Sequence, residues 1–137
     1  MTSRWLSEVA QDRELEVRWR TFSLERRDGG ELSDKIPEHI RAVALAGRTL
    51  SRRAMRVFEA VRARESESAV GDLYTALGCR LFVPGVSPAA PSPDVLMEAL
   101  AVTGLPPSLE AEADVASWDE VVQESMDEAF EAVGADA

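Results

Sequence analysis

The chain has 137 residues, of which 45% are apolar, a size and composition typical of one globular domain rather than a disordered segment. Its formal net charge of −10 is uneven, because residues 1–64 carry 14 Lys or Arg against 10 Asp or Glu, whereas residues 65–137 carry one against 15. The acidic balance argues against a nucleic-acid-binding domain, and no apolar run is long enough to span a bilayer or to act as a signal peptide, so we expect a cytoplasmic protein without nucleic-acid or membrane partners. The single cysteine, Cys79, excludes an intrachain disulfide and a CxxC redox centre within these residues.

The first 24 residues change their apolar spacing from a helical period to a strand period. Trp5 and Val9 fall at helical spacing, which predicts the end of an amphipathic helix over 3–13. Apolar and polar side chains then alternate over Leu15–Phe22, which predicts a strand with one buried face. A lone strand leaves its backbone unpaired, and no second strand pattern follows, so we expect a sheet of which this chain contains one strand.

The rest of the chain shows helical patterns separated by turn signals. The strongest covers 33–64, where apolar residues recur every three or four positions. Further patterns predict helices over 69–82, 92–104 and 117–134, with capping residues at the starts of the last two and Gly at their ends. The Pro-rich segment 83–93 predicts a loop.

Seven arginines on the polar side of the 33–64 helix allow two interpretations. They form an anion or nucleic-acid surface, or a solvated face balanced by the acidic C-terminal helices, and the acidic charge of the whole chain favours the second. The carboxylates of the last helix are likewise interpreted as a solvated face, because no calcium-loop spacing accompanies them. The arginines are Arg41, Arg48, Arg52, Arg53, Arg56, Arg62 and Arg64.

Three residues, each the only one of its type in the chain, are candidate functional residues. His39 is the only histidine and has no other metal ligand at a suitable spacing, so we expect an ordinary surface or half-buried histidine. Cys79 lies near the end of a predicted helix, where a thiolate gains little stabilisation, and is expected to be inert. Tyr74 is either a tyrosine at the edge of the core, which we favour, or a residue that lines a cleft.

The order of a helix end, a strand and a long helical stretch, together with three short motifs, resembles the DsbA-like thioredoxin-fold oxidoreductases. Within that family it is most similar to the actinobacterial branch related to mycothiol-dependent nitroreductases. The motifs are LYTALG at 73–78, GLP at 104–106 and AVGAD at 132–136. The resemblance implies an incomplete α/β thioredoxin-like fold, in which 1–24 form a partial core with the end of the active-site helix and one strand, and 25–137 form an inserted helical domain.

The family's Cys-Pro-x-Cys motif and its cis-proline both fall outside this sequence according to the resemblance. We therefore expect a chain truncated at both ends, with no catalytic or metal-binding residue and no thiol-disulfide activity of its own. Its helices would form one wall of the substrate cleft, with Trp5, Arg26, His39 and Tyr74 as candidate lining residues. The complete protein would act on a small-molecule or thiol substrate with a low-molecular-weight thiol such as mycothiol, and a homodimer would complete the sheet by pairing edges.

A hypothesis from a different functional class does not require motifs outside this sequence. On this alternative the chain is a non-enzymatic, all-helical interaction module that docks a partner through its Arg face or its acidic helices. The two hypotheses differ over Leu15–Phe22, because a self-contained helical module does not need a paired strand there.

Overall fold

The computed structural model describes residues 2–27, 32, 34–81 and 92–134. Helices make up most of these ranges, and no residue within them belongs to a β-strand. The helices in chain order are α1 (Thr2–Asp12), α2 (Leu24–Arg27), α3 (Glu38–Arg64), α4 (Glu67–Leu81), α5 (Val95–Thr103), a 3-10 helix (Pro107–Asp114) and α6 (Trp118–Val133).

The helix boundaries follow local backbone chemistry. Pro37 immediately precedes α3, where the missing N–H of proline does no harm. Gly104 ends α5 with a φ of +72°, a left-handed conformation that glycine adopts without steric cost, and the next residue, Leu105, donates its N–H to the carbonyl of Leu100 at 3.0 Å. The end of α5 at Gly104 agrees with the prediction, whereas α3 begins at Glu38 and not near residue 33 as its pattern predicted. The loop predicted over 83–93 lies outside the described residues except for its last two.

The hydrophobic core is built around the second half of α3, which packs against α4, the 3-10 helix and α6, while α5 closes it from the side of α4. Each fully buried side chain of this size contributes about 1.5–3 kcal/mol relative to an exposed one. The largest of these side chains are Leu73, Leu96, Leu100, Met126, Val57 and Val61. No helix among the described residues is long and apolar enough to cross a membrane.

The predicted strand over Leu15–Phe22, and with it the α/β thioredoxin-like fold, is wrong for the described part of the chain. The segment, called the extended segment below, is neither helical nor paired with a neighbouring strand. Side chains take two of its carbonyls instead: Arg62 of α3 donates to Trp19, and Ser125 of α6 donates to Thr21 at 2.8 Å. The alternation corresponds to burial only in part, since Thr21 is 3% exposed and Val17 and Trp19 are half-buried, but Leu15 is 48% exposed. Alternating burial does not require a neighbouring strand. The division of the chain at residue 24 stays a prediction.

Candidate functional site: a groove beside the extended segment

An open groove of about 1020 Å³ lies between the extended segment and the exposed side of α4. The extended segment lines it from Glu16 to Arg20, and α4 contributes residues from Glu67 to Arg80. Ser7 of α1 and the last turn of α5 complete the lining. Its volume is comparable to that of small-molecule binding sites, and it is open to solvent.

Trp19 holds the extended segment against α4. Its indole ring lies directly on Gly71, where a Cβ atom would be 2.6 Å from Nε1 and 2.9 Å from Cδ1. The same ring stacks on Tyr74 with centroids 5.7 Å apart, and Tyr74 in turn meets Phe58 edge to face at 6.2 Å. A glycine inside α4 therefore allows an aromatic ring to lie close to the helix backbone, which sets the position of the groove wall.

A buried polar network also holds the extended segment in place. Glu59 is 3% exposed, and its carboxylate accepts a hydrogen bond from Thr21 Oγ1 at 2.7 Å and another from Arg62 Nε at 3.3 Å. Arg62 also donates to the Trp19 carbonyl and to Glu67 at the start of α4. Because a buried carboxylate is costly unless it is paired and hydrogen-bonded, this network ties the segment, α3 and α4 together.

The groove presents charges of both signs around an apolar surface. Arg18 pairs with Glu16 at 2.9 Å in an exposed position, and the half-buried Arg80 pairs with Glu98 at 3.4 Å. Val17, Trp19 and Val102 supply apolar lining beside Ser68, Thr75 and Thr103. Such a mixed surface favours a polar ligand of low net charge over a strongly anionic or cationic one.

Cys79, in the last turn of α4, is exposed and lines the groove. It is the only cysteine of the chain, so its thiol is the only one that these residues bring to the groove. Within the described ranges no three His, Cys, Asp or Glu residues cluster closely enough to hold a metal ion.

The four predicted lining residues are spread over the molecule, and none of them lines this groove. Trp5 is 61% exposed on α1, and His39 is exposed in the first turn of α3. Arg26 lines a separate small pocket and donates from Nε to Gln123 Oε1 at 3.1 Å. Tyr74 stacks on Trp19, which lines the groove, but does not line the groove itself. Its side chain is 41% exposed. Their role in a cleft stays a prediction.

Trp19, Gly71 and Cys79 are the groove residues whose role the sequence analysis missed. Gly71 carried a usable signal, since an isolated glycine inside a helical pattern often marks a close packing contact. The only signal at Trp19 was the alternating pattern. That pattern indicates that one face of the segment is buried but not which residues cover it.

Arg53, Arg56 and Arg64 of α3 pair with the acidic C-terminal part of the chain. Arg53 contacts Glu110 at 3.2 Å, and Arg56 forms two hydrogen bonds of 2.9 Å to the carboxylate of Asp119. The second of these contacts holds the pKa of Asp119 below its usual value. Arg64 and Trp118 Nε1 both donate to Glu112, and these hydrogen bonds, that from Trp118 first, lower the pKa of that carboxyl group. Three of the seven arginines of α3 therefore dock onto acidic residues of the C-terminal part of the same chain.

Comparison with protein families finds a match over the whole sequence. The model described as "Rv2466c-like: Mycothiol-dependent nitroreductase Rv2466c" matches residues 1–137. The matched range includes both walls of the groove and the buried network beneath it.

Proposed function

The chain belongs to the Rv2466c-like family of mycothiol-dependent nitroreductases, and on that basis we propose that its groove forms part of the substrate-binding surface of a thiol-dependent oxidoreductase. The observation that carries this proposal is the groove of about 1020 Å³ between Trp19 and α4, with the Cys79 thiol on its wall. An aromatic floor and hydroxyl groups at the rim suit a nitroaromatic compound or a neutral sugar-bearing thiol.

In this proposal the redox chemistry is carried by thiols outside these residues. Reduction of a nitro group to a nitroso group consumes two electrons and two protons and releases water, and two thiols supply both as they are oxidised to one disulfide. Cys79 is the only cysteine of the chain, so it has no second thiol within these residues with which to form a disulfide. The helices therefore act by binding and orienting substrate, as a helical wall of the complete enzyme, and mycothiol is the reductant that the family implies.

The test separates binding from turnover. A nitroaromatic compound that binds in the groove should quench the fluorescence of Trp19, and the quenching should saturate in the wild-type chain. Trp19→Phe should abolish the saturable component, because Trp5 and Trp118 lie outside the groove lining. The same chain with added mycothiol should show no turnover of the compound. Turnover by these 137 residues would contradict the assignment of the redox thiols to another segment or chain.

A matched pair of variants localises the binding. Thr75 is exposed in the groove, and Thr75→Arg places a long side chain there without disturbing the core. Thr49→Arg makes the same change at an exposed position of α3 outside the groove. Binding should be lost in the first variant and retained in the second. Equal loss in both would place the binding elsewhere.

The second candidate function is the non-enzymatic interaction module, which the exposed part of α3 favours. The apolar stripe of this helix continues towards its start, where Ile40 is 44% exposed and a Cβ on Gly47 would meet no described atom within 4 Å. We propose a second copy of the chain as the partner on this face. Sedimentation should then give twice 15.0 kDa. Ile40→Glu should restore the monomer, whereas Leu45→Glu, about 140° away around the helix, should not. A monomer in the wild-type chain would remove this candidate.

A further inference from the structure

Asp72 of α4 is the one charged residue of the groove lining that has no partner among the described residues. Its side chain is exposed in the groove. The other five charged residues of the lining each belong to an ion pair. The pairs are Arg18 with Glu16 at 2.9 Å, Arg20 with Glu128 at 3.0 Å, Arg80 with Glu98 at 3.4 Å, and Arg62 with Glu67. The groove therefore carries one uncompensated negative charge.

The buried network beside the groove adds negative rather than positive charge. Arg62 pairs with Glu67 at the start of α4 and also with Glu59 at 3.3 Å, so two carboxylates share one guanidinium group. The groove is therefore acidic in balance, like the chain as a whole, whose formal net charge is −10. A field of this sign raises the local concentration of cations and repels anions.

An aromatic ring lies next to this carboxylate. The indole ring of Trp19 lies on Gly71, the residue before Asp72. Thr75 and Cys79 follow Asp72 at steps of three and four, so the three side chains share one face of α4, and all three are exposed in the groove. A group bound at Asp72 therefore lies near a carboxylate, a hydroxyl group and an indole ring.

We propose that the compound reduced by the complete enzyme is an aromatic molecule with one protonated amine, and that Asp72 binds this amine. The proposal rests on the proposed function of the groove and narrows the class of its substrate. An ammonium group donates charge-assisted hydrogen bonds to a carboxylate, and an indole ring attracts the same cation. A single positive charge matches the single uncompensated carboxylate. A metal ion is a poorer fit, because the part of the chain that the structure describes holds no cluster of three His, Cys, Asp or Glu side chains.

Two nitroaromatic probes that differ in one terminal group test this proposal. The probes are para-nitrobenzylamine, whose amine is protonated at about pH 7, and para-nitrobenzyl alcohol, which is neutral. Each is titrated into the full chain, and the saturable quenching of tryptophan fluorescence measures its affinity. We expect the amine to bind about three- to tenfold more tightly, as a partly shielded ion pair does. Asp72→Asn should reduce the affinity for the amine to that for the alcohol and leave the alcohol unchanged.

Asp94→Asn is the matched control, because it removes the same charge from an exposed position outside the groove lining. The preference for the amine should persist in this variant. Equal affinities for the two probes in the wild-type chain, or a preference that survives Asp72→Asn, would overturn this proposal and leave the groove as a substrate site. If neither probe gave saturable quenching, the proposed function of the groove would fail, and this proposal with it.

Discussion

Trp19 and Gly71 are in direct contact, and a Cβ atom at position 71 would lie 2.6 Å from the indole Nε1. Real Cβ atoms do not approach another heavy atom so closely, so the absence of a side chain at 71 is a condition for the position of the ring. The extended segment carries this ring and forms one wall of the groove. The absence of a side chain at Gly71 in α4 thus determines where the groove wall lies.

Gly71→Ala should therefore displace Trp19 and destabilise the protein. Alanine gains about 1 kcal/mol of helix propensity over glycine, but overpacking at a tight contact costs about 1–3 kcal/mol and the stack on Tyr74 is lost as well. We expect a net loss of up to about 2 kcal/mol in the free energy of urea unfolding, together with a red shift of the tryptophan emission.

Gly47→Ala is the control for that variant. Gly47 also lies inside a helix, but a Cβ there would meet no described atom within 4 Å, so only the propensity gain applies. This variant should be more stable by about 0.5–1 kcal/mol. If Gly71→Ala were stabilised to the same degree, Trp19 would have to move at no cost, and the contact would not determine the groove wall.

The sequence predicted the helices better than the segment that forms the groove. Apolar residues at spacings of three and four predicted α3 to α6, because the apolar face of an amphipathic helix is formed by residues close together in the sequence. The backbone partners of an extended segment are distant in sequence, and here they are the side chains of Arg62 and Ser125. Neither residue differs in pattern from its neighbours, so the alternation over Leu15–Phe22 predicted a sheet.

The relationship to mycothiol-dependent nitroreductases was also predictable, and the family match confirms it. Short motifs such as that at 73–78 carried the prediction. The groove could not be predicted from them, since it depends on a contact between residues 52 positions apart. His39 and Trp5 were chosen as lining residues from the resemblance, yet both are exposed and lie outside the groove lining.

Arg62→Met should be among the most destabilising single changes in the chain. It removes the cation beside Glu59, which then remains buried with one hydrogen bond from Thr21. Breaking a buried ion pair from one side typically costs about 3–5 kcal/mol, and we expect a value near the lower end because the Arg62 side chain is 16% exposed. Urea unfolding of this variant measures the loss.

The double variant Glu59→Gln with Arg62→Met tests the reason for that loss. With the charge of Glu59 removed, the second change no longer leaves an unpaired ion, so part of the stability should return. The coupling energy from the four unfolding measurements should exceed about 0.5 kcal/mol. Additive losses would mean that the two side chains act independently.

Leu100→Ala and Val102→Ala compare two positions of α5 that differ in burial. Leu100 is fully buried, whereas Val102 is 64% exposed at the rim of the groove. The first change should cost about 2–5 kcal/mol through lost contacts and a residual cavity, and the second should cost less than about 0.5 kcal/mol. Thermal unfolding measures both. Similar losses would contradict the assignment of Leu100 to the core.

The free energy of unfolding should decrease at acidic pH because of Asp119 and Glu112, whose pKa values are lowered in the folded state from ordinary values of 3.8 and 4.5. The unfolded chain then binds protons more readily than the folded chain at these two groups. Their contribution is present in full above about pH 5 and is lost as the pH falls through the folded-state pKa values. Arg56→Gln removes the hydrogen bonds that are the largest cause of the shift at Asp119, so its unfolding free energy should depend less steeply on pH between 5 and 3. Urea unfolding at several pH values measures both slopes, and equal slopes would show that the pairing of Arg56 with Asp119 does not contribute to the acid sensitivity.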